Sequence, residues 1–121
     1  MMASAEQTVS AVLEQTNKRY VVEVWESEDG KKGYTKYSDG WIEQYGVIEN
    51  VSGVPDGKFK SQTLNTEFAT TNYIVNTTIA SWYWTFARAK DTANFEYNVL
   101  GSTGKVSGNT GLPLYWTAEG Y

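Results

Sequence analysis

The acidic side chains around residues 33–46 are the ones whose types and spacing could support catalysis. Asp39, Glu43 and Glu49 form the nearest acidic set, and glycoside hydrolysis needs two carboxylates that face each other about 5–9 Å apart. Asp39 stands in a turn sequence, where its side chain can accept hydrogen bonds from local backbone amides. Glu43 lies on the same predicted strand face as Trp41, which indicates a structural hydrogen bond or ion pair. We therefore predict no catalytic residue in this set.

The missing residue types exclude several kinds of chemistry. The chain contains no His and no Cys, and its net charge is −4. Ser-His-Asp and Cys-His catalysis, thiolate metal sites and disulfides are therefore excluded. An acidic chain also lacks the basic surface through which proteins bind the phosphates of nucleic acids. We expect no enzyme activity, no cofactor, no metal and no nucleic-acid partner.

The sequence predicts no membrane span within residues 1–121 and no secretory signal at residues 1–7. It has no run of about 18 apolar residues, so no membrane insertion is expected. Residues 1–7 have neither the basic region nor the apolar core of a secretory signal. The doubled Met at the start suggests that the chain is the end of a longer protein.

A polar stretch at residues 101–113 is the first candidate binding region. Its Gly104-Lys105 step does not make a phosphate-binding loop, because Val106 stands where Ser or Thr is required. Loops longer than about 12 residues are usually functional or disordered, and a plain connector is the alternative. The turns at 31–32 and 88–94 rank below it. The candidate binding residues are Ser102, Thr103, Lys105, Ser107, Asn109, Thr110, Lys31, Lys32, Asp91 and Asn94.

The composition and the short apolar runs predict an all-β fold. The chain has nine Tyr, five Trp and only two Pro, and aromatic and β-branched residues favour strands. Strand patterns fall at 20–26, 33–38, 41–48, 59–66, 73–80, 81–88, 95–99 and 115–118. About seven or eight short strands joined by polar turns predict a single-domain antiparallel β-sandwich over 19–121. Residues 4–18 show a helical period, so we expect residues 1–18 to form a short helix, a coiled neck or a linker.

The alternation within strands predicts which side chains face inward. Trp82, Trp84 and Phe86 share one face, and we expect that face to be buried, with sugar stacking as the alternative. Tyr83 faces the other way. In the strand at 95–99, Phe95, Tyr97 and Val99 should be buried, while Glu96 and Asn98 face water. Tyr37 and Trp41 flank the Ser-Asp-Gly turn and should form a cross-strand pair that fixes the hairpin register.

Three segments resemble the C-terminal tip domains of bacteriophage tail fibres. They read Y-V-V-E at 20–23, K-Y-S-D-G-W-I-E-Q at 36–44 and Y-W-T-A-E-G-Y at 115–121. The similarity spans roughly residues 20–121, although only the hairpin and the terminus are specific. The family commonly has two glycines after Glu-Gln, and Tyr45 occupies the first of these positions here. We expect Tyr45 at an ordinary strand position, with Gly46 alone keeping the role of a glycine.

The resemblance implies an adhesive role. It implies a homotrimer at the distal end of a tail fibre, joined to an upstream shaft and binding a receptor on the bacterial surface. That receptor would be a polysaccharide or an outer-membrane protein, and several weak sites would raise the apparent affinity. The implied location is the virion, after synthesis in the cytoplasm of the bacterial host. The receptor-contacting loops of such tips differ too widely for the resemblance to assign contact residues.

Two other functions fit parts of the sequence. A monomeric carbohydrate-binding module would explain the aromatic residues and the acidity, and it predicts a planar, exposed aromatic platform on one sheet. The fibre hypothesis predicts apolar surface matched around a threefold axis instead. A depolymerase acting on surface polysaccharide is the third hypothesis, and it would require Glu43 for turnover.

Overall fold

A computed structural model describes residues 19–54, 58–101 and 109–121. In this part of the chain there are eight strands and no helix, which confirms the predicted fold class. The predicted helix or neck at 1–18 lies outside the described residues. The strands are β1 (Val21–Glu26), β2 (Gly33–Tyr37), β3 (Ile42–Ile48), β4 (Lys60–Thr63), β5 (Ile74–Ile79), β6 (Trp84–Ala89), β7 (Asn94–Leu100) and β8 (Leu114–Gly120).

The strands form two antiparallel sheets. The large sheet has the order β1-β2-β3-β8-β5, and the small sheet has the order β4-β7-β6. The C-terminal strand β8 pairs with β3 on one side and with β5 on the other. It therefore joins the N-terminal hairpins to β5, so the C-terminal strand is an interior strand of the large sheet.

The core lies between the two sheets. Phe95 and Val99 of β7 are fully buried, and the Phe95 ring centroid lies 5.0 Å from that of Trp116 on β8. Aromatic pairs at this distance add about 0.5–1.5 kcal/mol to the stabilisation that comes from burial. Tyr97 is also buried, as the alternation predicted, so this face of β7 forms the centre of the core.

Asn98 corrects the prediction that the opposite face of β7 is wet throughout. Its side chain is 6% exposed, because the segment after β3 crosses over it. The Oδ1 atom accepts from the Val54 amide at 3.0 Å, and Nδ2 donates to the carbonyls of Val54 and Lys58 at 3.2 Å each. The buried side chain of Asn98 therefore holds the irregular segment that follows β3, which has few β-sheet hydrogen bonds of its own.

The hairpin of β2 and β3 closes with the predicted turn. Asp39 Oδ1 accepts from the Trp41 amide at 3.1 Å, and Gly40 adopts φ +93°, which favours glycine. The Tyr37 amide donates to the Trp41 carbonyl at 2.9 Å, so the backbones of the two residues pair across the hairpin, while the Trp41 ring packs on Tyr121. The Tyr37 hydroxyl donates to Glu43 at 3.1 Å, which is the structural hydrogen bond expected of that carboxylate.

Tyr45 and Gly46 behave as the sequence predicted. Tyr45 lies within β3 opposite Gly33, and it is not among the described residues with a positive φ. Gly46 is required by packing, because a Cβ atom there would lie 2.5 Å from Cζ2 of Trp116. The glycine after Tyr45 thus lets a core indole lie directly against the strand.

Candidate functional site

The strands of the sandwich run between two opposite ends, and a different ion pair lies at each end. At the first end, Arg19 precedes β1 and its Nε donates to Asp39 at 2.9 Å, while the Tyr121 hydroxyl donates to the same carboxylate at 3.2 Å. At the second end, Lys31 Nζ forms an ion pair with Glu49 at 2.9 Å. We call them the Arg19 end and the Lys31 end. The residues before Arg19 join the domain at the Arg19 end.

Loops that are far apart in sequence meet at the Lys31 end. The turn between β1 and β2 contacts the end of β3 through the pair of Lys31 and Glu49. The Gly111 amide donates to Asn50 Oδ1 at 2.9 Å, and Asn109 forms an isolated bridge with Ser52. The strand order therefore places the base of the long 101–113 loop beside the turn at 27–32.

The candidate binding residues do not form one site. Lys31, Lys32, Asn109 and Thr110 lie at the Lys31 end, and the two lysines and Asn109 are exposed. The Thr110 hydroxyl donates to the Val51 carbonyl at 2.7 Å, so it also anchors the loop. Four further candidates lie outside the described residues: Ser102, Thr103, Lys105 and Ser107.

Asp91 and Asn94 lie at the opposite end of the sandwich. The Tyr73 hydroxyl, just before β5, donates to the carbonyls of Asp91 and Asn94 at 2.8 and 2.6 Å. Asp91 Oδ1 accepts from the amides of Ala93 and Asn94 at 2.9 and 2.8 Å. The side chains of this pair are used in closing the turn between β6 and β7, close to the Arg19 end.

The outer face of the large sheet carries two adjoining shallow clefts. Both are lined by Tyr45 and Thr117. One, of about 330 Å³, is also lined by Thr35, Glu43 and Glu119, and the other, of about 340 Å³, reaches Lys31, Val47 and Tyr115. Aromatic rings beside hydroxyl and carboxylate groups can stack on and hydrogen-bond a hydroxyl-rich ligand. The second cleft connects this face to the Lys31 end.

Sequence reasoning did not identify Tyr115 and Thr117 as surface residues. Both are exposed, whereas their neighbours Leu114, Trp116 and Ala118 are buried. Period-two alternation in residues 114–118 was the signal that could have found them.

The aromatic residues within and just before β6 correct the prediction of a buried face. Trp82, Trp84 and Phe86 are 81%, 58% and 48% exposed, while Thr85, Ala87 and Ala89 face the core. The inner face is occupied by the alternate residues: the Thr85 hydroxyl lies 2.7 Å from that of Thr77 on β5, and Tyr83, Ala87 and Ala89 pack against the core. Period-two alternation therefore places the large rings on the outer face.

The acidic set is engaged in structural contacts. Asp39 is bound by Arg19, whose guanidinium carbon lies 5.5 Å from the Tyr37 ring centroid and 5.1 Å from that of Trp41. Glu49 pairs with Lys31 at the other end of the domain. Among residues 19–54, 58–101 and 109–121, no group of three or more acidic, His or Cys side chains is placed to hold a metal ion. Within the part of the chain that the structure describes, no helix has the length and apolar character to span a bilayer.

Acidification is expected to destabilise the domain through its turn aspartates. The Ser27 hydroxyl lowers the pKa of Asp29, and the Ala93 amide lowers that of Asp91. At Asp39 desolvation raises the pKa, but the Trp41 amide and Arg19 together hold it below its usual value. The stabilisation is present above the unfolded-state pKa of about 4 and is lost as the pH falls through the lowered folded values.

Urea unfolding at about pH 6 and about pH 3 measures this loss. The midpoint should fall on acidification, and it should fall less in an Asp91→Asn variant, which has one titrating group fewer. An equal midpoint at both pH values would contradict the assignment of these carboxylates to the turns.

Solved structures with the same fold are tail fibres. The chain is similar to an N-truncated R1-type pyocin tail fibre, with a TM-score of 0.58 at 14% identity, over 99% of this chain and 98% of that one. It is also similar to an R2 pyocin fibre of P. aeruginosa, with a TM-score of 0.56 at 21% identity. There the alignment covers 99% of this chain and 30% of the fibre. No protein-family model matches the chain, and no curated protein matches it. At these identities the likeness establishes a shared fold.

Proposed function

We propose that the chain is the receptor-binding tip of a tail fibre from a phage or a phage-derived tail, and that it adheres to a bacterial surface without catalysis. The observation that carries the proposal is the shared fold with R-type pyocin tail fibres over 99% of the chain. The resemblance of the hairpin string at 36–44 to phage tip domains is independent support, because it comes from residues and not from the fold. The protein would reside at the distal end of the fibre in the particle, after synthesis in the host cytoplasm.

The proposed receptor surface is the Lys31 end. The chain upstream joins at Arg19, so a shaft preceding the domain would attach at the Arg19 end. The loops at the opposite end would then project away from the shaft, toward a host cell. This placement favours Lys31, Lys32 and the 101–113 loop as receptor contacts over Asp91 and Asn94. The cleft lined by Lys31 and Tyr115 extends the same surface, and the receptor is a polysaccharide or an outer-membrane protein.

The proposed assembly is a homotrimer with residues 1–18 as its neck. Exposed apolar side chains support it, since Val24 and Trp84 are 65% and 58% exposed in the single chain. Surfaces of this kind on a soluble domain usually mark contacts with other chains. Three receptor sites at one end would also convert weak single contacts into strong adhesion.

One specific observation favours the alternative of a monomeric carbohydrate-binding module. Trp82, Trp84 and Phe86 form an exposed aromatic row on one sheet, as that hypothesis predicted. The shared fold with pyocin fibres supports the fibre instead. A stable monomer that binds isolated polysaccharide through this row would favour the module.

Matched charge reversals at the two ends test the receptor surface. Lys32 and Lys90 are both exposed lysines in turns, one at each end. With a strain identified by a binding screen, Lys32→Glu and a shortened 102–107 loop should each lower adsorption, by about 100-fold if three sites act together. Lys90→Glu should leave adsorption unchanged. Equal losses from both lysine variants, or a loss only from Lys90→Glu, would contradict the proposed end.

A further inference from the structure

Within the described part of the chain, no other layer covers β1, which is an apolar edge strand of the large sheet. All six residues of β1 are exposed, including Val21, Val22, Val24 and Trp25, which we call the apolar edge. Trp25 stacks on Tyr34 of β2 at 5.7 Å and is still 40% exposed. Soluble proteins rarely leave a long apolar edge strand open, because it pairs with other chains. This strand therefore needs a partner.

The opposite flank of the domain carries the other large apolar surface. The aromatic row of Trp82, Trp84 and Phe86 lies on the outer side of β6, which packs beside β5 at the far edge of the large sheet. Arg88 continues the row, and its guanidinium carbon lies 4.3 Å from the Phe59 ring centroid. The two surfaces are thus on different flanks of one chain.

We propose that the apolar edge of one copy packs on the aromatic row of the next copy. This inference rests on the homotrimer of the proposed function and names the surfaces that form it. Because the two surfaces differ and lie on opposite flanks, the contact is head-to-tail, and such contacts form rings when the rotation closes. Closure after three copies leaves neither surface exposed.

The matching apolar areas favour a second copy of this chain as the partner. From its exposures, the aromatic row offers about 400 Å² of apolar surface, and the apolar edge with Tyr20 offers a similar area. Together with the polar rim, one such contact approaches the roughly 1,200–2,000 Å² of a standard interface. Charge adds little to this match, because Arg88 at the end of the row pairs with Glu96 at 2.6 Å and Glu23 of the edge strand pairs with Lys36 at 3.5 Å within one chain. The two surfaces are therefore complementary in apolar character and in area.

The arrangement also agrees with attachment to a fibre. In a cyclic ring every copy has the same direction along the axis. All three Arg19 ends then lie at one side of the ring, where a shaft joins, and all three Lys31 ends lie at the other. A dimer through two β1 edges would instead place the Arg19 ends on opposite sides.

Introduced cysteines test the contact directly, because the chain has none of its own. The double variant Val24→Cys/Trp84→Cys, treated with a short bis-maleimide, should give covalent trimers on a denaturing gel. The control Val24→Cys/Thr117→Cys should not, because Thr117 is exposed at the centre of the outer face of the large sheet. A trimer by light scattering without cross-linking of the first pair would overturn the named contact and leave the trimer standing. Covalent dimers alone would also overturn it, in favour of edge pairing.

A pair of exposed aromatic residues gives a second readout. Trp84 and Tyr115 are 58% and 54% exposed, so neither substitution should disturb the fold of the single chain, which circular dichroism checks. Trp84→Ser should raise the protomer concentration of half-dissociation by about 30-fold or more, as expected for a buried aromatic at a contact. Tyr115→Ser should leave that concentration unchanged. A monomer in the unsubstituted chain at all concentrations would overturn both the contact and the trimer, while host binding is measured separately by adsorption.

Discussion

Replacing Gln44 by leucine is expected to lower the free energy of unfolding by about 2–4 kcal/mol. The side chain is 2% exposed and joins β3 to the segment that follows β4. Its Oε1 accepts from the amides of Asn65 and Thr66 at 2.9 and 3.2 Å, and its Nε2 donates to the Thr66 carbonyl at 3.0 Å. Leucine has a similar volume but leaves three backbone groups without partners, and each such group costs about 1–3 kcal/mol where water cannot reach it.

Urea denaturation of the variant measures this loss, with Glu43→Gln as the control. Glu43 is the neighbouring residue, exposed on the other face of β3, so its substitution should change the stability by less than about 0.5 kcal/mol. If Gln44→Leu is as stable as the control, the segment at 65–66 is held by other contacts. The same Glu43→Gln protein also tests the depolymerase hypothesis, since polysaccharide turnover that depends on this carboxylate would disappear.

The sequence predicted the hairpin turn, but it did not predict that Gln44 is buried and holds the segment at 65–66. One physical reason explains both results. Turn chemistry is local, so Asp39 and Gly40 identify the turn from adjacent residues. The partners of Gln44 are 21 and 22 residues away in the chain. No periodicity within a strand indicates such a contact, and a Gln in a strand looks like a solvent-facing residue until the second layer is in place.

The aromatic row shows a second limit of pattern reading. Alternation predicted correctly that Trp82, Trp84 and Phe86 share a face, but alternation does not say which face is inward. Side-chain size favoured the aromatic face as the inner one, but the Thr85–Thr77 contact and the packing of Tyr83 and Ala87 on the core fix the other face inward. The large rings therefore point outward.

The candidate binding site was predictable only in part. Loop length and polarity indicated the 101–113 loop and the turns as candidates, but they do not show at which end of the sandwich each one lies. The strand order separates Lys31 and Asn109 from Asp91 by the full length of the sandwich. Which loops share an end depends on how β8 is inserted between β3 and β5, and nothing local in the sequence encodes that insertion.

The string at 36–44 is explained by structure more than by ligand contact. Asp39 closes the turn, Trp41 packs edge-on against Tyr121 at 5.1 Å, and Gln44 holds the second layer. These roles would be the same for any receptor, because none of them depends on the Lys31 end. A resemblance carried by such residues therefore indicates the type of domain, whereas the identity of its receptor depends on loops that are free to differ.

Gly46→Ala is expected to lower the free energy of unfolding by about 3 kcal/mol. The new methyl group would lie 2.5 Å from Cζ2 and 2.6 Å from Cε2 of Trp116. The indole is 3% exposed and packs on Phe95, so a shift away from residue 46 would disturb the core contacts. Alanine also restricts the unfolded chain, but that gain of about 0.4–1 kcal/mol is too small to offset the overlap.

A double-mutant cycle with Trp116→Phe separates steric overlap from a general effect on β3. Phenylalanine lacks the indole atoms that the methyl group would meet, so it makes room at the cost of a smaller core residue. Gly46→Ala should then cost less in the Trp116→Phe background, with a coupling of about 1–2 kcal/mol measured by urea unfolding. Additive losses would mean that the glycine is needed for its backbone and not for the ring beside it. A loss in the double variant smaller than the sum of the single losses would show that Gly46 leaves the space that the core tryptophan of the C-terminal strand requires.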